Sequence, residues 1–214
     1  MAQIAEDLFL LLLDNSSALP GLERRRRQRV LGAAVLLDLA HAGRIRPAVD
    51  GEPYRPGHLV ALTGAGPLDP VTGPAFDLLA RRPLRPAAAL TKLRKHNEDH
   101  LVGWLVHTGQ IRRVQPGAVL PLARRDRVDA ARAALLAALF DRRPPAPPTA
   151  AIISLLHSVD GLGALLSLND RGWRWVHARA GEIALGSWVD ERPSGLPEVN
   201  LAVTASALRP ALAG

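Results

Sequence analysis

The fold is decided by residues 24–46, which read RRRRQRVLGAAVLLDLAHAGRIR. Arginines crowd the start of this stretch, and a nearly unbroken apolar run follows from Val30 to Ala40. Gly43 stands where a helix would end, because glycine readily adopts the left-handed backbone of a helix C-terminus. We therefore predict a helix over Glu23–His41, with its apolar residues in the later turns, followed at once by a strand.

A second stretch repeats this pattern. Residues 39–46, LAHAGRIR, are similar to residues 105–112, LVHTGQIR, which lie 66 positions further along the chain. Each copy combines a helix end, a glycine and the start of a basic strand. This internal similarity predicts two helix–glycine–hairpin units within one helical domain.

Apolar spacing and the positions of proline, glycine and aspartate predict the remaining elements. We expect further helices over residues 3–13, 69–82, 86–107, 124–140, 149–168, 170–182 and from about 196 to 210. We expect hairpin strands over residues 44–48 with 58–62, and over 110–114 with 118–122. The prediction is a mainly α protein, with a single globular helical domain over residues 1–214 and peripheral β-hairpins.

Composition narrows the classes of function. Apolar residues make up 48% of the chain, enough for a sizeable core, and the net charge is +7. Cysteine does not occur, which excludes disulfides, zinc–thiolate sites and cysteine nucleophiles and suits a reducing cytoplasm. The apolar runs Leu8–Leu13 and Val30–Ala40 are both too short to cross a bilayer. We expect a cytoplasmic or peripheral membrane protein.

Motifs for catalysis or cofactor binding are not found. The sequence has no P-loop, no GxSxG and no HExxH. His96, His100 and His107 share a predicted helix face, but no third-ligand motif accompanies them. Trp173 and Trp175 are interpreted as packing residues. We expect no metal, no cofactor and no enzymatic activity.

Basic residues form three clusters whose positions matter more than the total charge. The first cluster lies at the start of the predicted helix 23–41, where free N–H groups and guanidiniums together would make an anion site. For each cluster a solvated surface is the alternative. The clusters comprise Arg24, Arg25, Arg26, Arg27 and Arg29; Arg81, Arg82, Arg85, Lys92, Arg94 and Lys95; and Arg112, Arg113, Arg124, Arg125 and Arg127.

The third cluster flanks the apolar stretch 118–122, AVLPL, in the second predicted hairpin. An apolar tip between arginines suits a peripheral membrane wedge, because the tip can enter the acyl boundary while the charges stay with the headgroups. We predict that Val119 and Leu120 contact the membrane. Packing of this tip on the core is the alternative.

Several segments, in order along nearly the whole chain, resemble the Golgi phosphoprotein 3 family in its bacterial form. Residues 5–11, AEDLFLL, are similar to the opening "EE-LLLL" helix, and residues 35–45, VLLDLAHAGRI, are similar to "LIELALRGRL". Leu93-Arg94 with residues 105–111 resembles "LR…LVEKGVL", and residues 152–159, IISLLHSV, resemble "LIYLAHASDVL". The resemblance implies a mostly helical fold without catalysis that binds phosphatidylinositol 4-phosphate, with a hairpin that helps to hold the membrane.

In that family a tryptophan and three arginines form the lipid pocket. The tryptophan position falls near Glu23, and the first arginine position falls at Gly32, one turn after Arg29. The arginine pair corresponds to Arg94 and Asn97 without a gap, or to Lys95 and Glu98 with one. The resemblance therefore implies a looser site for a phosphoinositide or another anionic headgroup. Its candidate residues are Arg25, Arg29, Arg94 and Lys95.

The favoured hypothesis is a peripheral protein on the cytoplasmic face of an anionic membrane. The resemblance also allows self-association and a protein cargo, which the residues do not identify. The alternative is a nucleic-acid-binding protein, because helix–glycine–hairpin units resemble winged-helix modules and basic charge suits DNA equally.

Overall fold

The computed structural model describes residues 3–63, 66–114, 119–186 and 196–213. Within these ranges the chain forms α-helices and one antiparallel pair of short strands, so the predicted mainly α class is confirmed. The helices are α1 (Gln3–Leu13), α2 (Arg24–His41), α3 (Gly73–Arg81), α4 (Pro86–Leu93), α5 (Asn97–His107), α6 (Asp126–Phe140), α7 (Pro147–Ser158), α8 (Asp170–Ala184) and α9 (Leu196–Ala213). The strands are β1 (Ile45–Pro47) and β2 (Leu59–Ala61).

Helix α2 forms the centre of the core. Every residue from Val30 to Ala40 is buried, as is every residue of α1 from Ile4 to Leu13. A helix that is apolar on all sides needs neighbours on all sides. Helices α1, α4, α5, α7 and α9 supply them. The first two turns of α2 carry the arginines and lie outside this core.

A buried carboxylate joins α1 to α2. Asp38 is 4% exposed, and its two carboxylate oxygens accept hydrogen bonds from the amides of Ile4 (2.8 Å) and Ala5 (2.9 Å). The free amides at a helix start favour a negative group, so α2 caps α1. Burial nevertheless raises the pKa of Asp38 well above its ordinary value.

The first predicted hairpin is confirmed, with shorter strands. Ile45 pairs with Ala61 and Pro47 with Leu59, and Gly43 has the expected positive φ of 67°. In the second unit Gly109 has a φ of 69°, and Ile111 forms an isolated bridge with Leu122. The predicted turn at Pro116-Gly117 and the first residue of the predicted second strand, Ala118, lie outside the described residues.

The prediction of one long helix over residues 86–107 is wrong, because a turn at residues 94–96 separates α4 from α5. The amide of Arg94 makes the last bond of α4, to the Leu90 carbonyl oxygen, and the carbonyl oxygen of His96 accepts the first bond of α5, from His100. All three turn residues are exposed. Helical stability comes mainly from tertiary packing, which this basic tripeptide does not supply. Arg94 and Lys95 therefore lie in a turn and not within a helix.

The helix predicted over residues 149–168 is also too long. Helix α7 ends at Ser158, Asp160 has a positive φ of 52°, and a 3₁₀ turn follows at Leu162–Ala164. The Gly161 amide closes the end of α7 with a 2.7 Å bond to the Leu156 carbonyl oxygen. A Cβ atom at Gly161 would approach Leu22 to 3.1 Å, so glycine here allows the α1–α2 loop to pack closely.

The boundaries of α3 and α9 also differ from prediction. Helix α3 begins at Gly73, four residues after Asp69, whose carboxylate instead caps the preceding turn through the amides of Val71 and Thr72. Helix α9 continues through Pro210 to Ala213. Asn200 fixes the first turns of α9 by donating to the carbonyl oxygens of Ala40 and Ile45.

Candidate functional site

The first cluster of arginines begins helix α2, where the N-cap residue already occupies two of the backbone amides. Glu23 is the N-cap, and its carboxylate accepts hydrogen bonds from the amides of Arg25 (2.9 Å) and Arg26 (3.2 Å). The bond from the Arg25 amide lowers the pKa of Glu23. The amides of Arg25 and Arg26 are therefore not free to bind an external anion. The exposed side chains of Arg24, Arg25 and Arg26 remain available.

The later arginines of the cluster are held by neighbouring elements. Arg27 forms an ion pair with Glu98 of α5 (Nε to Oε1, 2.9 Å) and also donates to the Leu22 carbonyl oxygen. Arg29 is half-buried, and its guanidinium lies 3.4 Å from the carbonyl oxygen of Leu212 in α9. The start of α2 thus adjoins the start of α5 and the end of α9.

The α4–α5 turn brings two more candidate residues to the same region. Gly32 faces α4: a Cβ atom there would lie 3.5 Å from Leu90 and 3.9 Å from Leu93. Arg29 precedes Gly32 by three residues and Arg25 precedes Arg29 by four, so these positions follow one stripe of α2. Arg94 comes directly after Leu93, and both it and Lys95 are exposed. Of the four predicted headgroup residues, Arg25, Arg94 and Lys95 are exposed, whereas Arg29 is engaged with α9.

The second hairpin lies against the α1–α2 loop, residues 14–23. The Leu120 amide donates to the Ala18 carbonyl oxygen (2.9 Å), and the Val114 amide donates to the Val119 carbonyl oxygen (3.3 Å). Val119 is 37% exposed, as the wedge hypothesis requires, and Val114, which the sequence did not single out as a membrane contact, is 49% exposed. Leu120 is 7% exposed and packs in the core, so its assignment to a membrane contact is wrong. Its alternation with Val119 along the strand turns it inward.

The structure places a further exposed apolar residue beside the hairpin, which the sequence did not single out. Leu19, next to Ala18 in the α1–α2 loop, is 43% exposed. A single leucine in a polar turn gives no periodic signal, and the long-range bond between Ala18 and Leu120 is what places it beside the hairpin. Leu19, Val114 and Val119 thus belong to adjoining segments.

Much of the third basic cluster is neutralised within the protein. Arg125 pairs with Asp14 (2.6 Å) and Arg124 with Asp126 (3.1 Å), while Arg127 pairs with the carboxylates of Glu6 and Asp7. Burial raises the pKa of Asp14, but hydrogen bonds from Arg125 and Arg132 outweigh it and leave that pKa below its ordinary value. These arginines mainly tie α6 to α1. Arg112 and Arg113 are exposed, and neither forms an ion pair with a carboxylate in the described ranges.

We call the resulting surface the basic end of the molecule. It comprises the α1–α2 loop (14–23), Arg24–Arg26 at the start of α2, the α4–α5 turn (94–96), and the described strands of the second hairpin (111–114 and 119–122). Its side chains could hold phosphate groups and contact lipid. In the described part of the chain, no helix combines the length and apolar character needed to cross a bilayer.

The predicted histidine face does not assemble. The rings of His96 and His100 stack with centroids 6.5 Å apart, whereas His107 lies against Trp104 at 5.7 Å. Among residues 3–63, 66–114, 119–186 and 196–213, no three His, Asp or Glu side chains are grouped to hold a metal ion.

Trp173 packs on the core as predicted, but Trp175 is 38% exposed and stacks on Phe140.

The chain belongs to the Golgi phosphoprotein 3 (GPP34) family, whose model matches residues 4–194. The matched range contains the whole basic end and confirms the resemblance identified from the sequence. No curated protein matches the chain.

Proposed function

We propose that this member of the Golgi phosphoprotein 3 family is a non-catalytic, peripheral protein that docks its basic end on an anionic membrane. The observation that carries the proposal is the bond between Leu120 and Ala18. It sets the exposed residues Val114 and Val119 beside the loop that contains Leu19 and leads directly into Arg24–Arg26. Apolar side chains and unpaired cations therefore occur together.

A surface that combines exposed cations with exposed apolar side chains favours binding to an anionic bilayer. Each basic residue near an anionic membrane contributes about 1 kcal/mol, and small apolar side chains gain by entering the acyl boundary. Seven side chains at the basic end are exposed and form no ion pair with a described carboxylate: Arg24, Arg25, Arg26, Arg94, Lys95, Arg112 and Arg113. Their summed attraction would hold the protein at the surface while the three apolar residues contact lipid.

The proposed ligand is an anionic headgroup of the phosphoinositide class. A monophosphorylated inositol headgroup suits guanidiniums, which bind phosphate oxygens in pairs. Two features argue for broader specificity than the family pocket implies. Arg29 is engaged with Leu212, and Glu98 neutralises Arg27 beside the α4–α5 turn. We place the protein on the cytoplasmic face, with a protein cargo and self-association as further proposals.

The test is liposome co-flotation with neutral vesicles, vesicles containing phosphatidylserine, and vesicles containing phosphatidylinositol 4-phosphate at matched surface charge. We expect binding to both anionic vesicles, with the phosphoinositide preferred. The double change Arg94→Gln with Lys95→Gln should weaken binding roughly thirtyfold, as loss of two surface cations predicts.

Arg142→Gln with Arg143→Gln is the matched control, because it removes the same charge from the α6–α7 connector. That connector approaches His41 at the far end of α2, where Ala146 and His41 line one cavity. Equal weakening by both double variants would reduce the proposal to a general charge effect. Failure to float with any anionic vesicle would overturn it.

The salt dependence of binding distinguishes membrane docking from the nucleic-acid alternative. Binding to DNA should fall steeply with salt through counterion release, whereas a docked apolar tip should retain a salt-resistant part. Val114→Ser with Val119→Ser should therefore weaken vesicle binding and leave any DNA binding unchanged. If duplex DNA is bound more tightly than every vesicle, the alternative replaces our proposal.

A further inference from the structure

A cavity of about 350 Å³ lies between α3, α4 and α5, on a side of the α4–α5 turn that does not include Arg94 or Lys95. Pro74, Leu78 and Leu93 supply its apolar walls. Its polar lining consists of Asp77, Arg81, Lys92, His96, Asn97 and His100. None of these six residues is a candidate residue of the headgroup site predicted from the sequence. Asn97 alone corresponds to a pocket arginine of the family, in one of the two alignments.

The charge of this lining is predominantly positive. Arg81 and Lys92 form no ion pair with any carboxylate in the described ranges, although Asp77 lines the same cavity. The rings of His96 and His100 stack on one another at 6.5 Å and add two nitrogen-bearing groups. One carboxylate thus faces two permanent cations and two imidazoles. A site of this composition favours a ligand that carries two negative charges.

Asn97 gives an independent indication of a ligand. The residue is 5% exposed and lines the cavity, yet its side-chain amide nitrogen has no hydrogen-bond partner among the described residues. Burying an amide without a partner costs free energy, and such groups in a native protein call for an explanation. An oxyanion that entered the cavity could accept this missing bond after a small side-chain adjustment.

We propose that this cavity binds a small organic phosphomonoester. The phosphate would be bound by Arg81 and Lys92, with the histidines and Asn97 as further donors. The carbon part would lie against Leu78 and Leu93, and Asp77 would accept a hydrogen bond from a ligand hydroxyl. The volume exceeds the needs of inorganic phosphate, which is why an organic ester is assigned. This proposal does not rest on membrane docking, although His96 belongs both to the cavity and to the basic end.

The experiment is isothermal titration of the full chain with glycerol 3-phosphate, and with glycerol as the uncharged control. We expect the phosphomonoester to bind and glycerol not to bind. Arg81→Gln with Lys92→Gln should weaken binding by about tenfold or more, because two charge-assisted bonds are lost. Arg82→Gln with Arg85→Gln is the matched control. It removes the same charge from neighbouring exposed positions that do not line the cavity.

The outcomes distinguish specific binding in the cavity from a general effect of positive charge. They also show whether a free ester or a lipid headgroup supplies the phosphate. Equal weakening in both double variants, or no binding of glycerol 3-phosphate, would overturn the proposal. If Arg81→Gln with Lys92→Gln loses the soluble ester and still floats with anionic vesicles, the ligand is a free phosphomonoester. If it loses both, a lipid headgroup supplies the phosphate. Failure of all vesicle binding alongside retained titration would leave this site intact and overturn only membrane docking.

Discussion

Single residues decide how closely the elements around the basic end can approach. Gly32 lies in the buried part of α2, where glycine is unfavourable for a helix, yet the packing does not require it. A Cβ atom at this position would make ordinary contacts with Leu90 and Leu93, at 3.5 and 3.9 Å. The sequence offers no means of knowing how much space a helical glycine leaves.

This geometry predicts that Gly32→Ala stabilises the protein by about 0.5–1 kcal/mol, the gain expected for alanine over glycine within a helix. Gly32→Leu should instead destabilise it by about 1–3 kcal/mol, because the larger side chain would displace α4. Urea unfolding of both variants measures the difference. A destabilised alanine variant would show that α4 packs more tightly on α2 than described.

Glu23 is the residue at the basic end that sequence reasoning undervalued. It reads as one acid before a run of arginines, and its capping bonds to Arg25 and Arg26 depend on local backbone geometry. The carboxylate places a negative charge where the membrane would dock. It therefore opposes the function that we propose while it stabilises the helix start.

Glu23→Gln should accordingly bind anionic vesicles about fivefold more tightly, since one repulsive charge near the surface is removed. The amide oxygen can still accept a bond from the helix start, so the fold should be retained. Flotation against vesicles of fixed phosphatidylserine content measures the change, with Glu182→Gln on α8 as the control. Unchanged or weaker binding of the Glu23 variant would mean that Glu23 does not face the membrane.

At the scale of elements, long-range ion pairs determine the arrangement of α1 and α6. Arg127 of α6 pairs with Glu6 and Asp7 of α1, which are 2% and 9% exposed, and Trp104 also donates to Glu6. Burial raises the pKa of Asp7 although Arg127 lies beside it and opposes this effect. The arginine is thus the main compensation for two buried acids.

Arg127→Met should destabilise the protein by roughly 3 kcal/mol at pH 7, because two buried carboxylates lose their counter-charge. A carboxyl group whose pKa is higher in the folded than in the unfolded state costs stability as pH rises through the interval between the two values. Loss of Arg127 raises the folded pKa further. The deficit of the variant should therefore grow with pH above about 4 and shrink below it.

Urea unfolding of wild type and Arg127→Met at pH 4 and pH 7 tests this pH dependence. Arg124→Met is a suitable control, because its partner Asp126 is exposed and that pair should contribute little. The same deficit at both pH values would show that packing of the arginine stem, and not charge, is what α1 requires.

The sequence predicted most elements because apolar periodicity and glycine placement are local signals. Helix α1, the later turns of α2 and the first hairpin follow directly from them. The breaks at residues 94–96 and 159–161 were missed because they depend on which side chains find a packed neighbour. Leu120 was misassigned for the same reason, since alternation along a strand does not say which face meets the core. The ion pairs of Asp14 and Glu6 join distant positions and could not be read from spacing. Capping by Glu23 is local, but it depends on the backbone geometry at the start of α2.

At the scale of the whole molecule, the two ends of α2, which is about 27 Å long, differ in the side chains that surround them. Arg24–Arg26 begin the helix beside Leu19 and the second hairpin. His41 ends it beside the first hairpin, where Val49 is 59% exposed. Membrane docking by the basic end therefore requires that one end of α2 contacts lipid and the other remains in water.

The most direct test uses the lack of native cysteine, which permits a single fluorophore at a chosen position. Val119→Cys and Val49→Cys are each labelled with an environment-sensitive nitrobenzoxadiazole dye and mixed with vesicles containing phosphatidylinositol 4-phosphate. We expect a blue-shifted, brighter emission from position 119, quenched by spin-labelled lipid, and an unchanged emission from position 49. A response at position 49 alone, or equal responses at both positions, would contradict docking through the basic end.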